Sequence, residues 1–164
     1  MTTGIENKVA TQTYTVYLKA TREAIWDAIT NPDQTDRYGY RGRADYDLRP
    51  GGSYQAHAST DMLAMGSADV VVEGEVIEAD APNRLVQTWH ALFSPEMIAE
   101  PATRLTWEIA DADFGGLKLT LTHELDAAPL TAAMVAGAPG TGGGWAFVLS
   151  DLKSLVETGS SILG

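Results

Sequence analysis

Helical periodicity is confined to the two ends of this chain, and most of what lies between them reads as strand and turn. Near the start, Thr21 fits an N-cap and Glu23 favours the positive end of a helix over Arg22 to Thr30. Ile25 and Ile29 form its apolar stripe, with Trp26 and Ala28 beside them, and Asn31-Pro32 ends it. At the other end, Trp145, Val148, Leu149, Leu152, Leu155 and Val156 fall on one stripe of a helix from Trp145 to Thr158. Lys153 and Glu157 take its far side, and Gly159 stands where a C-terminal cap belongs. A sheet covered on one face by a long terminal helix, with a second helix to one side, tends to leave a lined space. That arrangement points to a pocket before it points to a catalytic cleft.

Between the helices the period changes to two. Thr11 to Lys19 carries Tyr14, Val16 and Leu18 on one face, and Asp33 to Tyr38 fits a short helical turn. Ala44 to Leu48 and Ser53 to Ala58 flank Arg49-Pro50-Gly51-Gly52, a hairpin-like signal. Asp69 to Glu78 places Val70, Val72, Gly74 and Val76 on one face, and Asp80 to Asn83 turns it into Leu85 to Leu92. Thr103 to Ala110 and Leu117 to Glu124 complete about seven strands, which predict an antiparallel meander. Residues 1–10 read as a loose tail and 11–160 as one domain. The Ala- and Gly-rich stretch from Asp126 to Gly144 breaks the rhythm, with a short helix around Leu130 to Ala136 and a hinge at Gly140 to Gly144.

The net charge of −11, with only 11 Lys and Arg, argues against nucleic acid and against anionic lipid, because both need a clustered basic face. Without cysteine there is neither disulfide nor thiolate chemistry. No signal peptide or membrane span is legible, which makes a cytoplasmic location the expectation. Gly142-Gly143-Gly144 lacks the Gly-Lys-Ser/Thr that completes a nucleotide loop, and no Gly-x-Ser-x-Gly elbow supplies a nucleophile. His57 and His90 are expected to face solvent, so the three histidines are not expected to hold a metal. Glu73 and Glu75, two apart on one strand, read as a solvated face.

Several segments, taken in order, carry a resemblance. Thr-Arg-Glu-Ala-Ile-Trp-Asp-Ala-Ile-Thr-Asn-Pro-Asp (21–33) resembles the first helix of the START-like, or SRPBCC, helix-grip superfamily. Asp47 to Gly52, Gly74 to Glu78, Arg84 to Trp89, and Leu119 to His123 are similar to its Aha-type branch, named for homologues of the heat-shock-protein ATPase activator. Gly144-Trp145, opening a helix with Leu149, Leu152 and Leu155, completes the match, which runs from about residue 12 to 158. The resemblance implies an α+β helix-grip fold: a curved antiparallel sheet of six to seven strands around a long C-terminal helix. Many members of such families hold a small hydrophobic molecule between the two. Tyr38-Gly39-Tyr40 stands where the family commonly has tryptophan, and the plain 126–144 segment also departs from the pattern. Both border the expected pocket mouth, so ligand specificity does not carry over. The second domain of the eukaryotic co-chaperone is absent from this sequence.

On this reading Tyr38, Tyr54, Met62, Met65, Trp89, Trp107, Leu119, His123 and Trp145 are the candidate ligand-binding residues. His123 ends a strand whose Leu117, Leu119 and Leu121 should point inward, which makes it a polar anchor, a proton carrier or a satisfied core histidine. The tryptophans can each bury ~150–250 Å², worth up to ~4–6 kcal/mol, so packing competes with ligand stacking for them. Met62 and Met65 lie between two strands, as an adaptable apolar gate or as a plain loop over the sheet edge. The leading expectation is a binding module for a small apolar or aromatic molecule, with no catalytic residue, cofactor or metal. A polyketide cyclase or dehydratase is the second, and would need His123 to converge with Tyr54 or Tyr38 on one carbonyl. A modulator of a heat-shock-protein ATPase is the third; a homodimer and a chaperone partner are left open.

Overall fold

The structure, a computed structural model, describes residues 10–137 and 143–164. The expected tail up to residue 9, and residues 140–142 of the expected hinge, lie outside them. Seven strands form one antiparallel sheet in the order β1-β7-β6-β5-β4-β3-β2. They are β1 (Thr11–Leu18), β2 (Ala44–Tyr46), β3 (Ser53–His57), β4 (Val70–Asp80), β5 (Arg84–Ala91), β6 (Thr103–Asp111) and β7 (Leu117–Glu124). Each sequence-predicted strand is present, with ends shifted by a residue or two. β2 stops at Tyr46, because Asp47 turns into the Arg49–Gly52 bend through Asp47 N–H to Ser53 O and Gly52 N–H to Arg49 O. Register shifts between Ala56 and His57 and between Val76 and Glu78 interrupt the ladders of β3 and β4. Such bulges sharpen local twist, and they bend this half of the sheet into a concave surface.

Six helices accompany the sheet: α1 (Arg22–Thr30), α2 (Pro32–Thr35), α3 (Thr60–Ala64), α4 (Pro95–Ile98), α5 (Pro129–Ala136) and α6 (Gly144–Thr158). Thr21 Oγ1 accepts from Ala24 N–H, as an N-cap should. Gly159 adopts a left-handed φ of 84° and returns its N–H to Leu155 O. α3 and α4 were not expected. Each is one turn, started by a serine whose hydroxyl accepts from the residue three on: Ser59 from Met62 N–H and Ser94 from Met97 N–H. Too short for periodicity to show, they are visible only as caps.

α6 lies along the concave side and packs against β1, α5 and α1. Leu149, Leu152 and Leu155 are buried there in one core with Leu18, Ile25, Leu119 and Leu121. This is the helix-grip arrangement that the resemblance implied. Because α6 sits toward the β1 edge, it does not cover the concave surface of β2, β3 and β4, where β2 is met by α1 and α2.

One buried charge fixes the position of α6. Asp151 is fully buried in the middle of the helix. Its carboxylate accepts from Gly39 N–H at 2.8 Å, Ser161 Oγ at 2.9 Å and Ile162 N–H at 2.6 Å. Burial alone would raise its pKa, but these hydrogen bonds and the nearby charge of Arg41 outweigh it and hold the carboxyl below its usual range. The loop after α2 and the C-terminal residues are thereby tied to one turn of α6. Replacing Asp151 with Ala leaves three donors without their acceptor, and should lower unfolding free energy by about 3 kcal/mol. Chemical denaturation checks this; a change under about 0.5 kcal/mol would mean that the buried carboxylate is not a structural tie.

Candidate functional site

Where α6 leaves the sheet uncovered, a cavity of about 410 Å³ opens between β2–β6 and α6. The pairing register explains why side chains do not fill it. Ala44 pairs with Ala56, Ala56 with Val72, and Val72 with Ala91, so one row across four strands carries only small side chains. Of these, Ala44, Ala56 and Val72 line the cavity. The neighbouring row is aromatic: Tyr46 pairs with Tyr54, their rings 4.6 Å apart, and Trp89 of β5 lies beyond. Gly74 of β4 pairs with Tyr54, and a Cβ there would run into the Thr88 carbonyl. Without a side chain at Gly74, β5 packs close against β4 here, and the Trp89 indole partly offsets the upward push of burial on the Tyr54 hydroxyl.

The end of α1, α2 and the following loop close a second side with Ile29, Thr35, Tyr38 and Gly39. Val135 of α5 and Trp145 of α6 close a third, and Leu105 and Trp107 of β6 form the floor. Exposed or half-buried lining residues mark the mouth: Tyr40, Arg41, Met62, Phe93, Met134 and Val148. Burial pushes the hydroxyl pKa values of Tyr38, Tyr46 and Tyr54 upward, and their mutual proximity adds to this for Tyr38 and Tyr46. All three are neutral phenols at neutral pH. Tyr38 donates to Ala28 O at 2.8 Å and Tyr46 to Gln87 Oε1 at 2.6 Å, so two of the hydroxyls serve the walls.

Behind the indoles sits His123, fully buried. Its Nδ1 accepts from Trp145 Nε1–H at 3.0 Å, and its Nε2 lies 2.7 Å from Thr103 Oγ1. The Thr103 hydroxyl donates to Trp89 O at 2.6 Å, so it must accept from His123. Only one proton arrangement satisfies every member of this chain: neutral His123, with hydrogen on Nε2 and none on Nδ1. Burial lowers its pKa from 6.5 to about 4. Trp89 and Trp145 pack on its ring at centroid distances of 5.2 and 5.9 Å. Trp107 meets Trp145 edge-on at 5.8 Å.

Of the nine residues the sequence singled out, Tyr38, Tyr54, Met62, Trp89, Trp107 and Trp145 line the cavity. Three do not. Met65 is 88% exposed: the turn of α3 that brings Met62 inward leaves Met65, its C-cap, in solvent. Leu119 is fully buried under α6, where the helix has already filled the space. His123 is screened from the cavity by the tryptophans, with both ring nitrogens engaged, which is the geometry of the satisfied core histidine among the readings above. It does not converge with Tyr54 or Tyr38 in the cavity. Tyr46, Ile29, Phe93, Arg41, Met134 and Val148 were missed as lining residues. Tyr46 alone had a signal, since it alternates with Ala44 and faces Tyr54 across the hairpin.

His57 is held between Asp45 and Asp69 at 2.8 and 3.2 Å, and His90 lies 3.0 Å from Ile98 O. Among the described residues no group of three His, Cys, Asp or Glu side chains could hold a metal ion, and no helix is long and apolar enough to cross a membrane.

The histidine chain has a pH signature. An unfolded chain takes up a proton on His123 below pH 6.5, whereas the folded protein resists until about pH 4. Acid therefore favours unfolding, and stability from this residue is lost as pH falls through that window. The loss reaches about 3 kcal/mol at pH 4. Urea titrations of the protein and of His123→Gln at pH 7 and pH 4 isolate it: the variant should start less stable and lose about 3 kcal/mol less on acidification. Parallel losses in both proteins would show that His123 is not held neutral.

The comparisons with known proteins fit this geometry. Protein MLL2253 from Mesorhizobium loti superposes with a TM-score of 0.64 at 17% identity, over 88% of this chain and 95% of its own. CalU16 from Micromonospora echinospora gives 0.53 at 19% identity, over 74% of this chain and 64% of its own. DynU16, from the dynemicin biosynthetic locus, gives 0.62 at 19% identity, over 92% of this chain but 48% of its own. This chain thus spans about two thirds of CalU16 and half of DynU16, and at such identities the likeness concerns the fold. No curated protein matches the sequence. The profile of the family described as "Activator of Hsp90 ATPase homolog 1-like protein" matches residues 19–157, from the approach to α1 to the last turn of α6. On sequence and fold together, the chain is a member of that Aha-type branch of the START-like superfamily.

Proposed function

We propose that the protein binds one small apolar or aromatic molecule in the cavity between its sheet and α6, as a binding module without chemistry of its own. The observation that carries this reading is the lining: about 410 Å³ walled by indoles, phenols and aliphatic side chains. That volume and composition fall within the range of sites that enclose small organic ligands. Water in such a space finds few hydrogen-bonding partners, so an apolar guest that displaces it gains free energy along the apolar walls.

A cyclase-like enzyme would use the same space, and CalU16 and DynU16 share the fold. Here His123 is bound on both nitrogens and Tyr38 is bonded to the Ala28 carbonyl, which leaves Tyr54 without the imidazole that such chemistry would pair it with. Binding is the reading this geometry favours.

Titration with tetralin, followed by indole fluorescence and by native mass spectrometry, should give saturable one-to-one binding that perturbs the emission of the cavity tryptophans. Val72→Phe projects a ring into the small-residue row and should weaken that binding at least tenfold, at a cost of about 1–3 kcal/mol in stability. Absence of any saturable signal, or full binding by Val72→Phe, would overturn the proposal.

A further inference from the structure

From the polar atoms of the cavity we infer that its ligand is a neutral aromatic carbonyl compound, an aryl ketone or quinone whose oxygen accepts a hydrogen bond from Tyr54. The inference rests on the binding reading above and goes further by naming the class of molecule.

Within the buried part of the cavity, most polar side chains are already paired. Thr35 Oγ1 accepts from Ala44 N–H and donates to Pro32 O, Tyr38 donates to Ala28 O, and Tyr46 donates to Gln87 Oε1. Two are not. Tyr54, 6% exposed, lines the cavity, and its hydroxyl hydrogen has no acceptor among the described residues. Trp107, also 6% exposed, has an Nε1–H that is buried without any acceptor among them. A buried donor without a partner is destabilising, and native interiors rarely keep one unless something else satisfies it. Both residues line the cavity, but Trp107 Nε1 is closed off from it, so the Tyr54 hydroxyl is the donor a guest can reach. A guest bearing an acceptor takes that hydrogen; a pure hydrocarbon leaves it unsatisfied.

Charge decides the kind of acceptor. Arg41, half-buried at the mouth, is the one cation among the lining residues, and it already donates to Ser161 Oγ beside the Asp151 carboxylate. The protein as a whole carries a net charge of −11, which repels anions. A carboxylate in the deep part of the cavity would lose its hydration with no counter-charge to replace it. A carbonyl oxygen is a strong acceptor without that cost, and a planar ring system to bear it matches walls of tryptophan and tyrosine.

The test pairs two guests of nearly one shape, tetralin and 1-tetralone, with the protein and with Tyr54→Phe, which keeps the ring and removes the donor. The ratio of tetralone to tetralin affinity should fall about tenfold in Tyr54→Phe. The infrared carbonyl stretch of bound tetralone should lie at lower frequency than in hexane, and should move back in the variant. An unchanged affinity ratio, together with an unshifted carbonyl band, overturns the carbonyl assignment while leaving the cavity a binding site. Failure of both guests to bind removes the binding reading and this inference with it.

Discussion

The chain of hydrogen bonds from Trp145 through His123 and Thr103 to the Trp89 carbonyl joins the first turn of α6 to three neighbouring strands, β7, β6 and β5. Every donor in it has one acceptor, and this works only with a neutral imidazole of one tautomer. Such a chain inside a low-dielectric interior is directional and intolerant of change. It decides where the N-terminal end of α6 meets the sheet, and it locks the Trp145 indole in the orientation that makes it a cavity wall. Asp151 does the same work two turns further on, tying the helix to Gly39 on one side and to Ser161 and Ile162 on the other. The helix is held over one half of the sheet by polar contacts as much as by its leucines.

The hollow follows from that placement. Leu149, Leu152 and Leu155 fill the space toward β1, and nothing of comparable bulk faces β2, β3 and β4. Small side chains at Ala44, Ala56, Val72 and Ala91 lie in register, so the uncovered half presents a trough. Two bulges bend the trough inward, and α1, α2 and α5 contribute its sides. The aromatic residues around it carry most of the polar atoms near a guest; Tyr38 and Tyr46 spend their hydrogens on the walls, and Tyr54 keeps its own.

Much of this was legible from residue spacing. The two-residue period located all seven strands, and the stripe from Trp145 to Val156 located α6. Together with the ordered resemblance they led to the helix-grip fold. Trp89, Trp107 and Tyr54 could be placed on the inner face by alternation alone. Alternation, however, says which face a residue is on and not what covers it. Leu119 and Trp107 share that face, yet one lies under the helix and the other in the open half. Spacing left His123 open as an anchor, a proton carrier or a satisfied core histidine, because the partners that decide it, Thr103 and Trp145, are 20 and 22 residues away in sequence. Asp151 broke the helical pattern as a buried charge whose three donors come from distant segments. Met65 was grouped with Met62 because a one-turn helix has no periodicity to separate them.

The central claim is that a guest occupies the space between sheet and helix. Intermolecular nuclear Overhauser effects between bound tetralin and assigned methyl groups of the protein test it most directly. The account predicts contacts to the Met62, Met134, Val72 and Val148 methyls together, because these line one cavity from different elements. Contacts confined to exposed side chains such as Met65, Ile98 or Leu163 would contradict it.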